Sequence, residues 1–228
     1  MDCCFEGKNA LVVGGTSGIG LKLAELLSDS GAHVTVAGRH NPFSPENCTG
    51  DFVFADFTDC ANDLRFGRLP SEDLQRLFPK VDILTVCYGP FVQQKLEETS
   101  AQDWLSMAVQ DYALPGIFVS ECLKGMIERK WGRILLFGGT RTDSIRSYKT
   151  TTAYSGAKTG VSVLTKSVAS NYAELGITCN AILPGFTHNA PKNTRPIEDS
   201  AFAYHGFYLL SHSELNGVLF NVDRGWQP

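Results

Sequence analysis

Long hydrophobic runs are missing from this chain. No stretch of its 228 residues reaches the ~18–20 apolar residues of a membrane span, and the N-terminus lacks the basic-then-apolar pattern of a signal peptide. An excess of basic charge is also missing. With 20 Lys and Arg against 24 Asp and Glu, the net charge of −4 offers no field for nucleic acid or an anionic membrane. Paired cysteines are absent too: the count of seven is odd and contains no Cys-x-x-Cys. That argues against a disulfide framework or a zinc site and fits a reducing cytoplasm, with Cys3 and Cys4 read as incidental thiols at a frayed end. His188, His205 and His212 share no ligand spacing, so no metal site is expected. Hydrophobic content of 43% with 19% charged residues describes an ordinary globule, long enough for one α/β domain.

Two stretches carry chemistry. Asn9 to Val13 is a short apolar run, as in a strand buried on both faces, and it leads into Gly14-Gly-Thr16-Ser17-Gly18-Ile19-Gly20. Ile19, Leu23, Leu26 and Leu27 then recur at helical spacing up to Gly31, and His33 to Gly38 reads as a second strand. Strand, glycine loop, helix and strand make a βαβ unit whose glycines let the backbone approach a pyrophosphate at the helix N-terminus. Thr16 and Ser17 add hydroxyl donors, and Ser17 is placed to cap the helix. Far downstream, Tyr154 and Lys158 stand four apart at a helix start, separated by about 6 Å of rise and ~40° of rotation. An ammonium that close to a phenol favours the phenolate and readies it for proton transfer; a surface helix with a solvated lysine has the same spacing.

The spacing Gly14-x-x-x-Gly18-x-Gly20, taken with Tyr154-x-x-x-Lys158, resembles the short-chain dehydrogenase/reductase family, with Val13 where the family has Thr. The resemblance runs in order through nearly the whole chain. It implies one Rossmann-like, doubly wound α/β domain over residues 1–228, with a parallel sheet of about seven strands and helices on both faces. It also implies hydride transfer between NADP(H) and a carbonyl/alcohol substrate, and assembly as a homodimer or homotetramer. Where NAD-preferring members carry an acid, this chain has Gly38 followed by Arg39, a guanidinium able to pair with a 2′-phosphate. Asp56, closing a third strand from Phe52, is placed to accept from the adenine amino group or to cap the next helix. After a fourth strand, Val81 to Val86, the family's Asn-Asn-Ala-Gly becomes Val86-Cys87-Tyr88-Gly89. Only Gly89 survives, and Tyr88 is expected to bring its ring near the cofactor ribose.

In the second half, Asp103 to Met126 reads as one long helix with Asp111 at the family's catalytic Asn. Asp accepts the same hydrogen bond but adds a negative charge near Lys158. The fifth strand, Trp131 to Phe137, ends in Gly138-Gly139, so the family's substrate-holding Ser falls on Gly139. The neighbouring Thr140 is the candidate replacement; the alternative is that no hydroxyl takes that place. Resemblance gives Tyr154 the role of general acid/base and Lys158 that of lowering its pKa and holding the ribose. Pro184, Gly185 and Thr187, after the sixth strand, would line the nicotinamide, and Asn216 to Trp226 matches the last strand. The segment 189–213, usually a substrate lid, is short and is expected to leave an open pocket or a mobile flap, with a helix over Ala201–Leu210. The altered Asp111, Gly139 and Val86-Cys87 keep open a second reading, a cofactor-binding sensor or scaffold without turnover. A carbohydrate epimerase or dehydratase with the same Tyr and Lys ranks third, since such relatives carry a further substrate domain.

Overall fold

Seven parallel strands form one sheet in the order β3-β2-β1-β4-β5-β6-β7. The structure, a computed structural model, describes residues 4–44, 50–58, 60–65, 68–69, 71–187 and 194–225, with Ala61 and Asn62 as backbone only. Cys3, Cys48, His188, Trp226 and the start of the 189–213 segment lie outside the described residues.

The apolar runs alternate between two cores. In β1 (Asn9–Val13), Leu11 and Val13 face one side of the sheet while Ala10 and Val12 face the other. One core gathers Phe57, Phe78, Leu114, Phe118 and Val161; the second gathers Leu23, Leu27, Phe202 and Leu210. Helices therefore cover both faces, as a fully buried parallel sheet requires. The chain winds one way through α1 (Gly18–Asp29), β2 (His33–Gly38) and β3 (Asp51–Phe54). It then returns past α2 (Ala61–Arg65) and α3 (Glu72–Leu77) to β4 (Ile83–Val86), on the other side of β1. That reversal opens a crevice at the carboxyl ends of β1 and β4, where such sheets take their ligands.

The expected helix from Asp103 is interrupted. α4 (Ala101–Ala108) starts from a Ser100–Asp103 capping box, gives way to a π turn at Val109–Ala113, and resumes as α5 (Leu114–Arg129). The cause is in the sequence: Pro115 has no N–H for the carbonyl of Asp111 four residues back, and its ring crowds that carbonyl. The wider turn leaves Gln110 and Asp111 both buried.

β5 (Gly132–Phe137), α6 (Thr152–Tyr172), β6 (Ile177–Pro184), α7 (Asp199–Ser211) and β7 (Leu219–Val222) complete the chain. The helix expected over Ala201–Leu210 forms as α7, and its buried face belongs to the core, not to a flap. Phe202, Ala203 and Leu210 are buried where α7 packs on α1. Burying Phe202 and Phe207 in the second core outweighs leaving them over a solvent-facing pocket, while Tyr204 and Tyr208 stay exposed on the other face.

The amino ends of the strands are held by a polar clamp. Arg129 donates to Asp82 Oδ1 at 2.8 Å, to Pro79 O at 2.7 Å and to Val81 O at 2.7 Å. Asp82 Oδ2 accepts the Asn9 N–H at 3.0 Å, joining α5, β4 and β1. Arg129→Ala strands a buried carboxylate and should lower stability by about 3 kcal/mol in urea unfolding.

Candidate active site

The glycine loop closes on backbone. Gly14 has φ +77°, and a Cβ there would lie 2.9 Å from Tyr88 N; a Cβ on Gly20 would run into Gly14 O. Ser17 occupies the N-cap of α1, yet its side chain makes no capping hydrogen bond. The first-turn N–H groups, which have no acceptor within the helix, are left for an incoming anion.

At the end of β2, a Cβ on Gly38 would stand 2.7 Å from Thr16 Cγ2 and 2.8 Å from Thr16 Oγ1. Thr16 thus fills the space where an acidic side chain at 38 would project. Arg39 is exposed beside it. Asp56 Oδ1 accepts from Thr58 Oγ1 at 2.6 Å and Thr58 N at 3.0 Å, a local turn. Those hydrogen bonds, with a smaller contribution from the Arg39 charge, hold its carboxyl below the ordinary carboxylate range.

Tyr88 corrects an expectation. Its ring packs edge-on against Phe57 at 5.0 Å between centroids, and its hydroxyl donates to Gln110 Oε1. Gln110 in turn donates to Ser106 Oγ at 2.8 Å. The ring turns into the first core and ties β4 to the π turn, so it supplies the rigidity that the family's Asn side chains would give. Burial pushes its phenol up to about 12.

Four of the singled-out residues meet at one point. Lys158 Nζ lies 3.0 Å from Asp111 Oδ1 and donates to Phe137 O at 3.0 Å. Asp111 has no exposed surface, and its Oδ2 has no hydrogen-bond partner among the described residues. Gly89 closes over the pair: a Cβ there would collide with Asp111 Oδ1 and stand 2.9 Å from Lys158 Nζ. Tyr154 lies alongside, with Lys158 Nζ 5.8 Å from its ring centroid and the Phe91 ring edge-on at 4.9 Å.

The electrostatics reverse what the Tyr–Lys spacing alone implies. Burial pushes the Tyr154 phenol above its ordinary value, and the charges of Asp111 and Tyr148 push it further. The ammonium is committed to Asp111 and to a carbonyl, so its pull on the phenol is offset. Burial also raises the Asp111 carboxyl, against the opposing pull of Lys158.

Thr140 is placed at the site but engaged: its hydroxyl donates to Pro184 O at 2.6 Å, linking the ends of β5 and β6. At Gly139, a Cβ would meet Tyr154 Cε1 at 3.0 Å and Thr142 Cγ2 at 3.3 Å. Thr142, buried, fills that gap with its methyl while its hydroxyl bonds Gly139 N at 3.1 Å and Gly139 O at 2.9 Å. Glycine supplies no side-chain hydroxyl at 139, a side chain there would need its neighbours to shift by a few tenths of an ångström, and the space is partly filled from three residues on. Gly185 presses on β7, where a Cβ would lie 2.7 Å from Asp223 Cα, and Thr187 is half-buried just beyond.

Sequence reasoning missed Arg141. In a left-handed conformation at φ +58°, it places Nε 2.7 Å from Asp223 Oδ2 and braces the Thr140 turn against the last strand. Asp223 was visible as part of the terminal motif; its partner had no local signal.

Known proteins share this fold and much of this sequence pattern. A family profile described as short chain dehydrogenase matches residues 8–199. A 2-dehydro-3-deoxy-D-gluconate 5-dehydrogenase of Bacillus subtilis is 30% identical, over 86% of this chain and 76% of its own. A 3-oxoacyl-(acyl-carrier-protein) reductase of Vibrio cholerae is 31% identical, over 80% of this chain and 74% of its own. Among solved structures, a short chain dehydrogenase/reductase family protein superposes with a TM-score of 0.82 at 25% identity, covering 97% of both chains. The profile, the relatives and the strand order converge: the chain belongs to the short-chain dehydrogenase/reductase family of nicotinamide-dependent oxidoreductases.

Proposed function

We propose that the protein is an NADP(H)-dependent carbonyl reductase with Tyr154 as its general acid. The observation that carries this reading is the meeting of Tyr154, Lys158, Asp111 and Gly89 at the strand ends that also hold the glycine loop. A phenol in that place can hand a proton to an oxygen developing negative charge.

The cofactor cradle fits a dinucleotide. Gly14 and Gly20 let the loop fold tightly on its own backbone, where a Cβ would clash, and the uncapped start of α1 offers free N–H groups for a pyrophosphate. Gly14, Thr16, Ser17, Gly18, Ile19 and Gly20 would hold the phosphates, Asp56 the adenine, and Gly89, Pro184, Gly185 and Thr187 the nicotinamide end. The preference for the 2′-phosphate rests on the exposed Arg39 and on Thr16, whose side chain excludes an acid at 38. Bound there, the nicotinamide supplies or takes up the hydride.

Thr140 orients a substrate carbonyl only by releasing Pro184 O; while that bond holds, Tyr154 is the group among the described residues that fixes the carbonyl oxygen. Relatives named for 3-oxoacyl and 2-dehydro-3-deoxy-gluconate substrates support a carbonyl/alcohol pair as the chemistry. Exposed Trp104, Leu105, Tyr112 and Val163 on α4, the π turn and α6 support assembly with further copies of the chain. Gly139 and the engaged hydroxyl of Thr140 favour one second reading, a cofactor-binding sensor without turnover. Stoichiometric NADPH binding with no oxidation across a panel of ketones, aldehydes and quinones would select it.

Tyr154→Phe should reduce carbonyl turnover by ~10²–10⁴-fold while leaving NADPH affinity within a few-fold, measured by steady-state kinetics and fluorescence titration. Retained activity within a few-fold of the unaltered enzyme would remove Tyr154 from the mechanism. Arg39→Asp should weaken NADPH by about 10–100-fold and NADH far less. Equal losses for the two cofactors would overturn the preference for NADP(H).

A further inference from the structure

A lysine beside a phenol ordinarily favours the phenolate. Here the lysine is spoken for. Lys158 Nζ is 3.0 Å from Asp111 Oδ1 and donates to Phe137 O at 3.0 Å. Asp111 is fully buried, so water does not screen its charge, and Gly89 leaves no room for the pair to separate on that side. The π turn caused by Pro115 fixes the carboxylate in this position.

We propose that Asp111 is a positioning residue that, by holding the Lys158 ammonium, keeps Tyr154 a neutral phenol and so readies the site for carbonyl reduction. The proposal rests on the reductase reading above and adds a working direction to it. Among the described residues, the groups acting on Tyr154 are few. Lys158 comes from α6, Asp111 from the π turn and Tyr148 from the loop before α6; Phe91 and the Gly139 backbone complete its walls. Cys87, at the end of β4, is a neutral thiol raised by burial. Asp111 and Tyr148 both disfavour the phenolate, in agreement with the geometry.

The proton balance follows. In reduction, hydride reaches the carbonyl carbon, the C=O electron pair moves to oxygen, and that oxygen takes the Tyr154 proton. The phenolate left behind is reprotonated from solvent. In oxidation, the same phenolate must be present first: it takes the alcohol proton as hydride leaves the carbinol carbon for the oxidised nicotinamide. A site whose resting tyrosine is a phenol begins in the state that reduction needs.

The decisive experiment titrates the tyrosine directly. Phenolate difference absorbance is followed against pH in the full chain and in Asp111→Asn, each referenced to its own Tyr154→Phe counterpart, with circular dichroism reporting the fold. Asn has the shape of Asp and is the family's residue, so the fold should hold. The Tyr154 phenolate should appear at least about one pH unit lower in Asp111→Asn, a roughly tenfold larger population at fixed pH. Equal or later onset in the variant would overturn the proposal. The kinetic counterpart is kcat/KM for carbonyl reduction, expected to stay level into the alkaline range in the unaltered enzyme and to fall with the new onset in Asp111→Asn. Identical profiles also overturn it. Absence of turnover on every carbonyl would refute the reductase reading instead, and the titration would still decide the role of Asp111.

Discussion

A buried ion pair governs this site. Lys158 and Asp111 meet at 3.0 Å where α6, the π turn and the ends of β4 and β5 converge. Two opposite charges taken out of water are tolerable only with close geometry, and each neighbour contributes to it. Phe137 O accepts a hydrogen bond from Lys158, Gly89 approaches without a side chain, and Pro115 opens the helix so that position 111 faces inward. The pair binds four elements together and sets the charge that Tyr154 feels.

Around it, the strand ends are joined by short polar links in place of the family's usual side chains. Tyr88 to Gln110 joins β4 to the π turn, Thr140 to Pro184 joins β5 to β6, and Arg141 to Asp223 braces the loop on β7. Each link uses a donor within reach of a backbone or side-chain acceptor at a buried or half-buried position, where an unmade hydrogen bond is costly. The missing Asn and Ser side chains are therefore compensated in rigidity. Their chemistry is not reproduced: neither Thr140 nor Thr142 presents an uncommitted hydroxyl proton.

Much of this was legible in the chain. The buried run at Asn9, the glycine loop, the amphipathic α1 and the strand after Gly31 follow from periodicity and glycine placement. Tyr154 and Lys158 were found by spacing, because local helix geometry fixes how they stand to each other. What spacing could not supply was the environment, since the phenol answers to its burial and to Asp111, forty-three residues upstream. Pro115 inside an expected helix was a readable sign of the π turn. The direction of Tyr88 and the packing of α7 on α1 depend on long-range contacts and left no local trace. The hydroxyl of Thr140 donates to Pro184 O, a bond that spans two strands and that the sequence does not signal.

The Arg129–Asp82 clamp lies at the amino ends of the strands, and every candidate site residue lies towards the carboxyl ends. The two share no side chain, so changes at one end should add to changes at the other with little interaction. Such a division separates the evolutionary fate of persistence from that of chemistry. The catalytic rim can drift, exchanging an Asn for Asp111 or a Ser for Gly139, while the opposite rim keeps the sheet assembled.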